Sequence, residues 1–227
     1  MRDSELEDEG TLEFAFKEGY KKIEIYIPNY SQTGIKDFSV NGEYRAIPKK
    51  RTKVLFVGDS ITQGGGSERS GCTYVNIVKR ALNYEIVNWG IGGYLFDEKI
   101  LQRVDFKPNK IIVALGTNNC SQSFDDNKKA IECFFEKINT LYPNIPVFAI
   151  VPQWVGTGNE KHINTYRQIK PLIEQTVLQY PQMQSVSAYD MIPHFSEYFM
   201  NDLVHPNALG MESYGWNLVK AIKKCGF

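Results

Sequence analysis

Much of what would announce a specialised protein is missing from this chain of 227 residues. Lys plus Arg and Asp plus Glu both number 26, so no net charge is available to hold nucleic acid or an anionic membrane surface. No apolar run approaches the roughly 20 residues that a membrane-spanning helix needs. The four cysteines, Cys72, Cys120, Cys133 and Cys225, form no CxxC pair and no close group with His162, His194 or His205. A zinc site is therefore not expected, and in a chain this apolar the cysteines are expected to remain thiols. The first nine residues are acidic and lack the apolar core of a secretory signal. The expectation is a cytoplasmic protein as the chain stands, or a secreted one if something upstream has been removed.

What is present is the composition of an ordinary globular protein, 42% hydrophobic and 23% charged. The patterning changes near residue 50. In Lys22-Ile23-Glu24-Ile25-Tyr26-Ile27-Pro28 and again in Ile35-Lys36-Asp37-Phe38-Ser39-Val40, apolar and polar residues alternate with the period of a strand that has one buried face. The second run closes on the turn pair Asn41-Gly42. Two or three strands cannot stand alone, so residues 1–50 are expected to pack on the rest of the chain or to belong to an incomplete β-sandwich. From Arg51 to residue 227, short β-branched runs alternate with longer amphipathic stretches, the pattern of βα units wound into a parallel sheet. Strands are predicted at Lys53 to Val57, Tyr84 to Asn88, Lys110 to Leu115, Val147 to Val151 and Gln184 to Ala188. Helices are predicted at Tyr74 to Leu82, Phe96 to Val104, Asp125 to Leu141, Ile163 to Gln179, and from about Ala208 to Lys224.

All but the fourth of these strands are followed, at once or nearly so, by a polar or glycine-rich cluster. The first breaks at Gly58-Asp59-Ser60, a tight turn that would present the Ser60 hydroxyl at the carboxyl edge of the sheet, where open α/β sheets place their chemistry. The second leads into Asn88-Trp89-Gly90-Ile91-Gly92-Gly93 and the third into Gly116-Thr117-Asn118-Asn119. Near the end of the chain, Asp202-Leu203-Val204-His205-Pro206 puts a carboxylate three residues before an imidazole, so that Asp202 can hold one ring nitrogen while the other serves as base. Backbone amides of Ser60 and Gly93 and the side-chain amide of Asn118 are the donors that a developing oxyanion would need.

With these motifs the chain resembles the SGNH hydrolases, also called the GDSL esterase/lipase family, over about residues 51 to 224. Gly58-Asp59-Ser60 resembles the first block, Gly93 the oxyanion glycine of the second, Gly116-Thr117-Asn118-Asn119 the third, and Asp202 to Pro206 the fifth. Asn119 departs from the Asp common in the family, and Gly90 and Gly92 are alternatives to Gly93. The resemblance implies a three-layer αβα sandwich of flavodoxin-like type around a five-stranded parallel sheet, and hydrolysis of an ester through an acyl-enzyme without metal or cofactor. The amino-terminal strands resemble, by pattern alone, the β-sandwich that precedes the hydrolase domain in some carbohydrate esterases of the family.

Each residue also has a plainer reading. Ser60 could cap a helix, Asp190 competes with Asp202 as carboxylate partner, and Asp59 would bind turn amides and fix Ser60. Gly64-Gly65-Gly66 lacks the Lys-Ser or Lys-Thr of a phosphate loop and reads as a mobile loop beside the site. Trp154 follows the fourth strand, either as a sugar-stacking contact or as a ring packed beneath the next loop. The expected activity is a serine esterase acting on short acyl esters, acetyl first, carried by a carbohydrate or other small molecule. A lipase- or thioesterase-type hydrolase and an inactive carbohydrate-binding protein on the same fold are the alternatives.

Overall fold

The computed structural model describes residues 10–31, 33–48, 52–157 and 160–227. Five strands, β1 (Lys53–Gly58), β2 (Glu85–Gly90), β3 (Lys110–Ala114), β4 (Val147–Val151) and β5 (Met183–Ser187), pair in parallel in the order β2-β1-β3-β4-β5. Five α-helices connect or flank them: α1 (Ser60–Gln63), α2 (Tyr74–Ala81), α3 (Phe124–Leu141), α4 (Glu160–Val177) and α5 (Ala208–Cys225). Central strands covered on both faces are expected to be apolar, and past the lysines that open β1 and β3 they are. Along β1, Val54 and Phe56 enter one apolar cluster with Tyr74, Tyr214 and Leu218 of α2 and α5, while Leu55 and Val57 enter the other with Phe134, Phe135 and Ile173 of α3 and α4. Ile112 against Ile111 and Val113, and Phe148 against Val147 and Ala149, repeat the alternation on β3 and β4. The result is the expected three-layer αβα sandwich with a five-stranded parallel sheet.

The helices end where their sequences say they should. Thr73 caps α2, Ser123 caps α3 and Asn207 caps α5 through side-chain oxygens, and Gly226 closes α5 in the left-handed conformation. The helix expected over Phe96 to Val104 does not form; only a 3₁₀ turn at Glu98–Ile100 is present. Asp97 accepts the amide of Lys99 at 2.9 Å, an Asx turn that competes with helical hydrogen bonding, and the Tyr142 hydroxyl donates to the carbonyl of Gln102 at 2.9 Å. Phe96 and Leu101 are buried all the same, so the apolar pattern registered burial rather than helical geometry.

Among the described residues of 10–48 no hydrogen-bonded ladder forms, although strands were expected at 22–28 and 35–40. The period of two persists with the opposite sense to that expected. Glu24 and Tyr26 lie against α2, whereas Ile23, Ile25 and Ile27 are exposed. A strand requires a partner edge, and neither run meets one here. The expected division near residue 50 lies outside the described residues, as do the first nine residues.

Candidate active site

Everything begins with the turn that ends β1. A Cβ on Gly58 would stand 2.0 Å from Thr62 Oγ1 and 2.8 Å from the Ala114 carbonyl, and one on Gly90 would stand 2.1 Å from the Gln63 amide. Only glycine lets the single turn of α1 settle between the ends of β1 and β2. Asn88 fastens it there: its Nδ2 donates to the Thr62 carbonyl at 2.8 Å and its Oδ1 accepts the Gly90 amide at 2.9 Å. Asp59 is buried and caps α1 by accepting the Ile61 amide at 3.0 Å. Desolvation pushes its carboxyl up to about 6, against the pull of the Ile61 amide, the His205 charge, the Thr117 hydroxyl and the Thr62 amide. The plainer reading of Asp59, as the group that fixes the turn, is what this geometry describes.

Ser60 emerges half-buried at the sheet's switch point, between the ends of β1 and β3. Its Oγ lies 2.8 Å from His205 Nε2, and His205 Nδ1 lies 2.6 Å from Asp202 Oδ2. The loop carrying the latter pair folds back on itself through an isolated bridge between Phe199 and Pro206, with the Met200 amide donating to the His205 carbonyl at 2.8 Å. Between Asp202 and His205 the backbone is strained: Leu203 has φ +56. A non-glycine residue in that region costs on the order of 1 kcal/mol or more, a strain that clusters at functional sites. It lets Asp202 Oδ1 accept both the Val204 and the His205 amides at 2.9 Å. Partial burial opposes the carboxylate, yet those two amides and the imidazole hold its pKa below the ordinary range. Asp190, the competing carboxylate, lies 3.5 Å from His194 Nε2 instead.

Of the three glycines after β2, Gly90 is occupied by its contact with α1, and the Gly92 amide donates to Gln63 Oε1 at 2.8 Å. Gly93 has φ +78 with open space where a Cβ would be. The backbone N–H groups of Gly93 and Ser60 have no acceptor among the described residues. Asn118 sits in the 3₁₀ turn Thr117–Ser121 after β3, and its Nδ2 is oriented by donating to the Tyr94 carbonyl at 3.1 Å. Asn119, where the family commonly has Asp, is fully buried in a neutral group, donating to Asn127 Oδ1 at 2.7 Å.

Trp154 stacks on His194 at 4.9 Å, meets Phe199 edge-on at 5.3 Å, and packs against Gly156, whose amide donates to the Leu203 carbonyl at 2.8 Å. It braces the loop that carries Asp202 and His205. The glycine run 64–66, expected as a mobile loop, is instead closely packed. Gly64 and Gly65 are buried, and Cβ atoms on Gly64 and Gly66 would meet Asn29 Nδ2 at 2.4 Å and the Pro206 carbonyl at 2.2 Å. Asn29 and Tyr30 carry no signal in the sequence, and Gln63 reads there only as the start of a flexible glycine run. Nothing in their neighbours' patterning marks them, because the chain segments they join are remote in sequence. The four cysteines are unpaired, and among the described residues no group of three or more His, Cys, Asp or Glu could hold a metal ion.

The fold and this site define a class, a flavodoxin-like αβα sandwich with a serine–imidazole–carboxylate alignment at its switch point. The chain belongs to the GDSL-like lipase/acylhydrolase family, which it matches over residues 56–212. This is the SGNH hydrolase family of carboxylic ester hydrolases that the motifs resemble. It is 25% identical over 173 residues to platelet-activating factor acetylhydrolase IB subunit alpha1 of Rattus norvegicus, covering 71% of each chain. Among solved structures it is similar to a putative GDSL-like lipase from Bacteroides ovatus, with TM-score 0.65 and 21% identity over 79% of this chain and 55% of that one. It is also similar to a family 2 carbohydrate esterase with its carbohydrate binding domain from Corynascus thermopiles, with TM-score 0.65 and 18% identity over 81% of this chain and 69% of that one. The chain thus spans little more than half of the Bacteroides ovatus protein.

Proposed function

We propose that the protein is a serine esterase that removes short acyl groups, acetyl first, from carbohydrates. The observation that carries this reading is the continuous run of short contacts from Ser60 Oγ to His205 Nε2 at 2.8 Å and from His205 Nδ1 to Asp202 Oδ2 at 2.6 Å. Asp202 accepts a hydrogen bond from Nδ1–H and so fixes the tautomer, which leaves Nε2 to take the Ser60 proton as Oγ attacks the ester carbonyl. The carbonyl oxygen, now negative, is held by the Ser60 and Gly93 amides and by Asn118 Nδ2. Collapse of the tetrahedral intermediate breaks the bond to the alcohol, which leaves with the proton from Nε2. Water, deprotonated by the same nitrogen, then attacks the acyl-enzyme and releases the acid.

Two observations support the substrate class. The mammalian relative is named for acetyl hydrolysis, and structural neighbours are named as carbohydrate esterases. Trp154, partly buried with His194 stacked on one face, is the aromatic ring assigned here to contact with a sugar.

The test is Ser60→Ala assayed with p-nitrophenyl acetate. Turnover is expected to fall by on the order of 10⁴-fold while the circular dichroism spectrum is retained. A folded variant with undiminished turnover refutes the mechanism, and a wild-type rate that climbs steadily from acetyl to long acyl chains refutes the acetyl assignment in favour of a lipase-type hydrolase.

A further inference from the structure

The segment approaching the site from the amino-terminal side has so far had no part in the chemistry, yet its course is well anchored. Glu24 pairs with Lys79 of α2 at 2.5 Å, Lys79 Nζ lies 4.9 Å from the centre of the Tyr26 ring, and Arg80 donates to the Tyr26 hydroxyl at 3.2 Å. The same ring closes on Gly71, where a Cβ would be 3.2 Å away. Three residues on, the Asn29 carbonyl accepts from Gln63 Nε2 at 3.1 Å, and Gln63 Oε1 accepts the Gly92 amide. One side chain therefore ties the segment to the glycine turn beside Ser60.

Tyr30 follows. A Cβ built on Gly65 would stand 2.7 Å from the Tyr30 hydroxyl and 2.9 Å from His205 Cδ2, the ring carbon bonded to Nε2. Phenol and imidazole therefore flank the same glycine, on the side of the ring that faces Ser60. The hydroxyl has no hydrogen-bond partner among the described residues, while the residue as a whole is 62% exposed. Burial at the hydroxyl end pushes the phenol pKa up, which keeps it a protonated donor at neutral and mildly alkaline pH.

The nitrogen that protonates a leaving alkoxide must sit beside the alcohol half of the ester, so an unpartnered donor that shares the Gly65 position with the same imidazole is within reach of the alcohol. We propose that Tyr30 is a specificity-determining residue of this site: its hydroxyl hydrogen-bonds a free hydroxyl of the alcohol moiety and its open ring lies along that moiety's carbon frame. The enzyme then selects esters of polyhydroxylated alcohols over plain ones. This assignment rests on the esterase reading above and adds to it a source of alcohol selectivity in the amino-terminal segment.

Glycerol 1-monoacetate and n-propyl acetate share the acyl group and the carbon chain and differ in the free hydroxyls of the alcohol. Wild-type protein is expected to prefer the glycerol ester in kcat/KM. Tyr30→Phe should cut that preference roughly three- to tenfold, the share of one neutral hydrogen bond, and Tyr30→Ala should cut it further. A preference ratio unchanged in Tyr30→Phe overturns the proposal, as does a wild-type enzyme that hydrolyses both esters without preference. If wild type hydrolyses neither ester, or Ser60→Ala hydrolyses both as well as wild type does, the esterase reading fails first and takes this one with it. A general loosening of the site would lower both rates together and leave the ratio where it was, which also counts against Tyr30.

Discussion

Asp59→Asn separates the cost of a buried charge from the value of a helix cap. Asp59 is 2% exposed, and its carboxyl is pushed up to about 6 from an ordinary 3.8. Between those values the folded protein still holds a proton that the unfolded chain has released, so stability falls as pH rises through the window and the full cost is present above about pH 6. A difference of roughly two pKa units corresponds to about 3 kcal/mol. Asparagine keeps an oxygen for the Ile61 amide and carries no charge at any pH, so the variant lacks this term. Urea unfolding followed by circular dichroism at intervals from pH 4 to pH 7.5 measures both proteins. Relative to the variant, wild type is expected to lose about 3 kcal/mol across that range, with most of the change between pH 4 and pH 6. The comparison cancels groups common to both proteins, Asp202 included, whose lowered pKa works in the opposite direction: its stabilisation is present above the ordinary carboxylate value and is lost as pH falls below it. A wild-type-to-variant difference that stays flat, or grows in favour of wild type as pH rises, refutes the account of Asp59 as an ionised group paying for its burial.

Asn118→Ala removes a donor from the proposed oxyanion site and is expected to lower kcat/KM for p-nitrophenyl acetate by roughly 10²- to 10³-fold, with a melting temperature close to wild type. Asp202→Asn should lower kcat by on the order of 10²- to 10⁴-fold by disturbing the imidazole tautomer; a loss confined to KM would show that the carboxylate serves substrate binding instead. Gly58→Ala sets a methyl 2.0 Å from Thr62 Oγ1, which is itself bonded to the buried Tyr74 hydroxyl at 2.8 Å. It should destabilise the fold by about 2–3 kcal/mol or more in urea unfolding, and a neutral result would show that α1 can lift away from the strand ends.

The motifs were legible one at a time because each depends on its immediate neighbours. Gly58-Asp59-Ser60 requires only that an apolar strand stop at a residue with no side chain, and Asp202-x-x-His205 requires only the reach of a carboxylate over three residues. Strands β1, β3 and β4 were equally plain, since burial on both faces leaves a continuous apolar run. Phe96 to Val104 misled for the same reason. Its apolar residues mark burial faithfully, but the groups that decide between helix and extended chain are the Asp97 carboxylate within it, which accepts the Lys99 amide, and the Tyr142 hydroxyl just past α3, which donates to the Gln102 carbonyl. The left-handed Leu203 left no trace in the sequence, because the strain is tolerated through the Met200 and Gly156 hydrogen bonds around it.

The sequence by itself therefore determined the succession of βα units, the strand ends where polar residues gather, and the candidate nucleophile, base and amide donors, which follow from local periodicity and local turn chemistry, while the three layers of the sandwich were implied by the family resemblance. Tertiary structure decided the rest. It set Asp202 rather than Asp190 beside His205, turned the glycine run into a packed crossing, and carried Asn29 and Tyr30 to the rim of the site along α2. These outcomes depend on which remote surfaces meet, and that is settled by the packing of helices on a sheet rather than by any short stretch of chain.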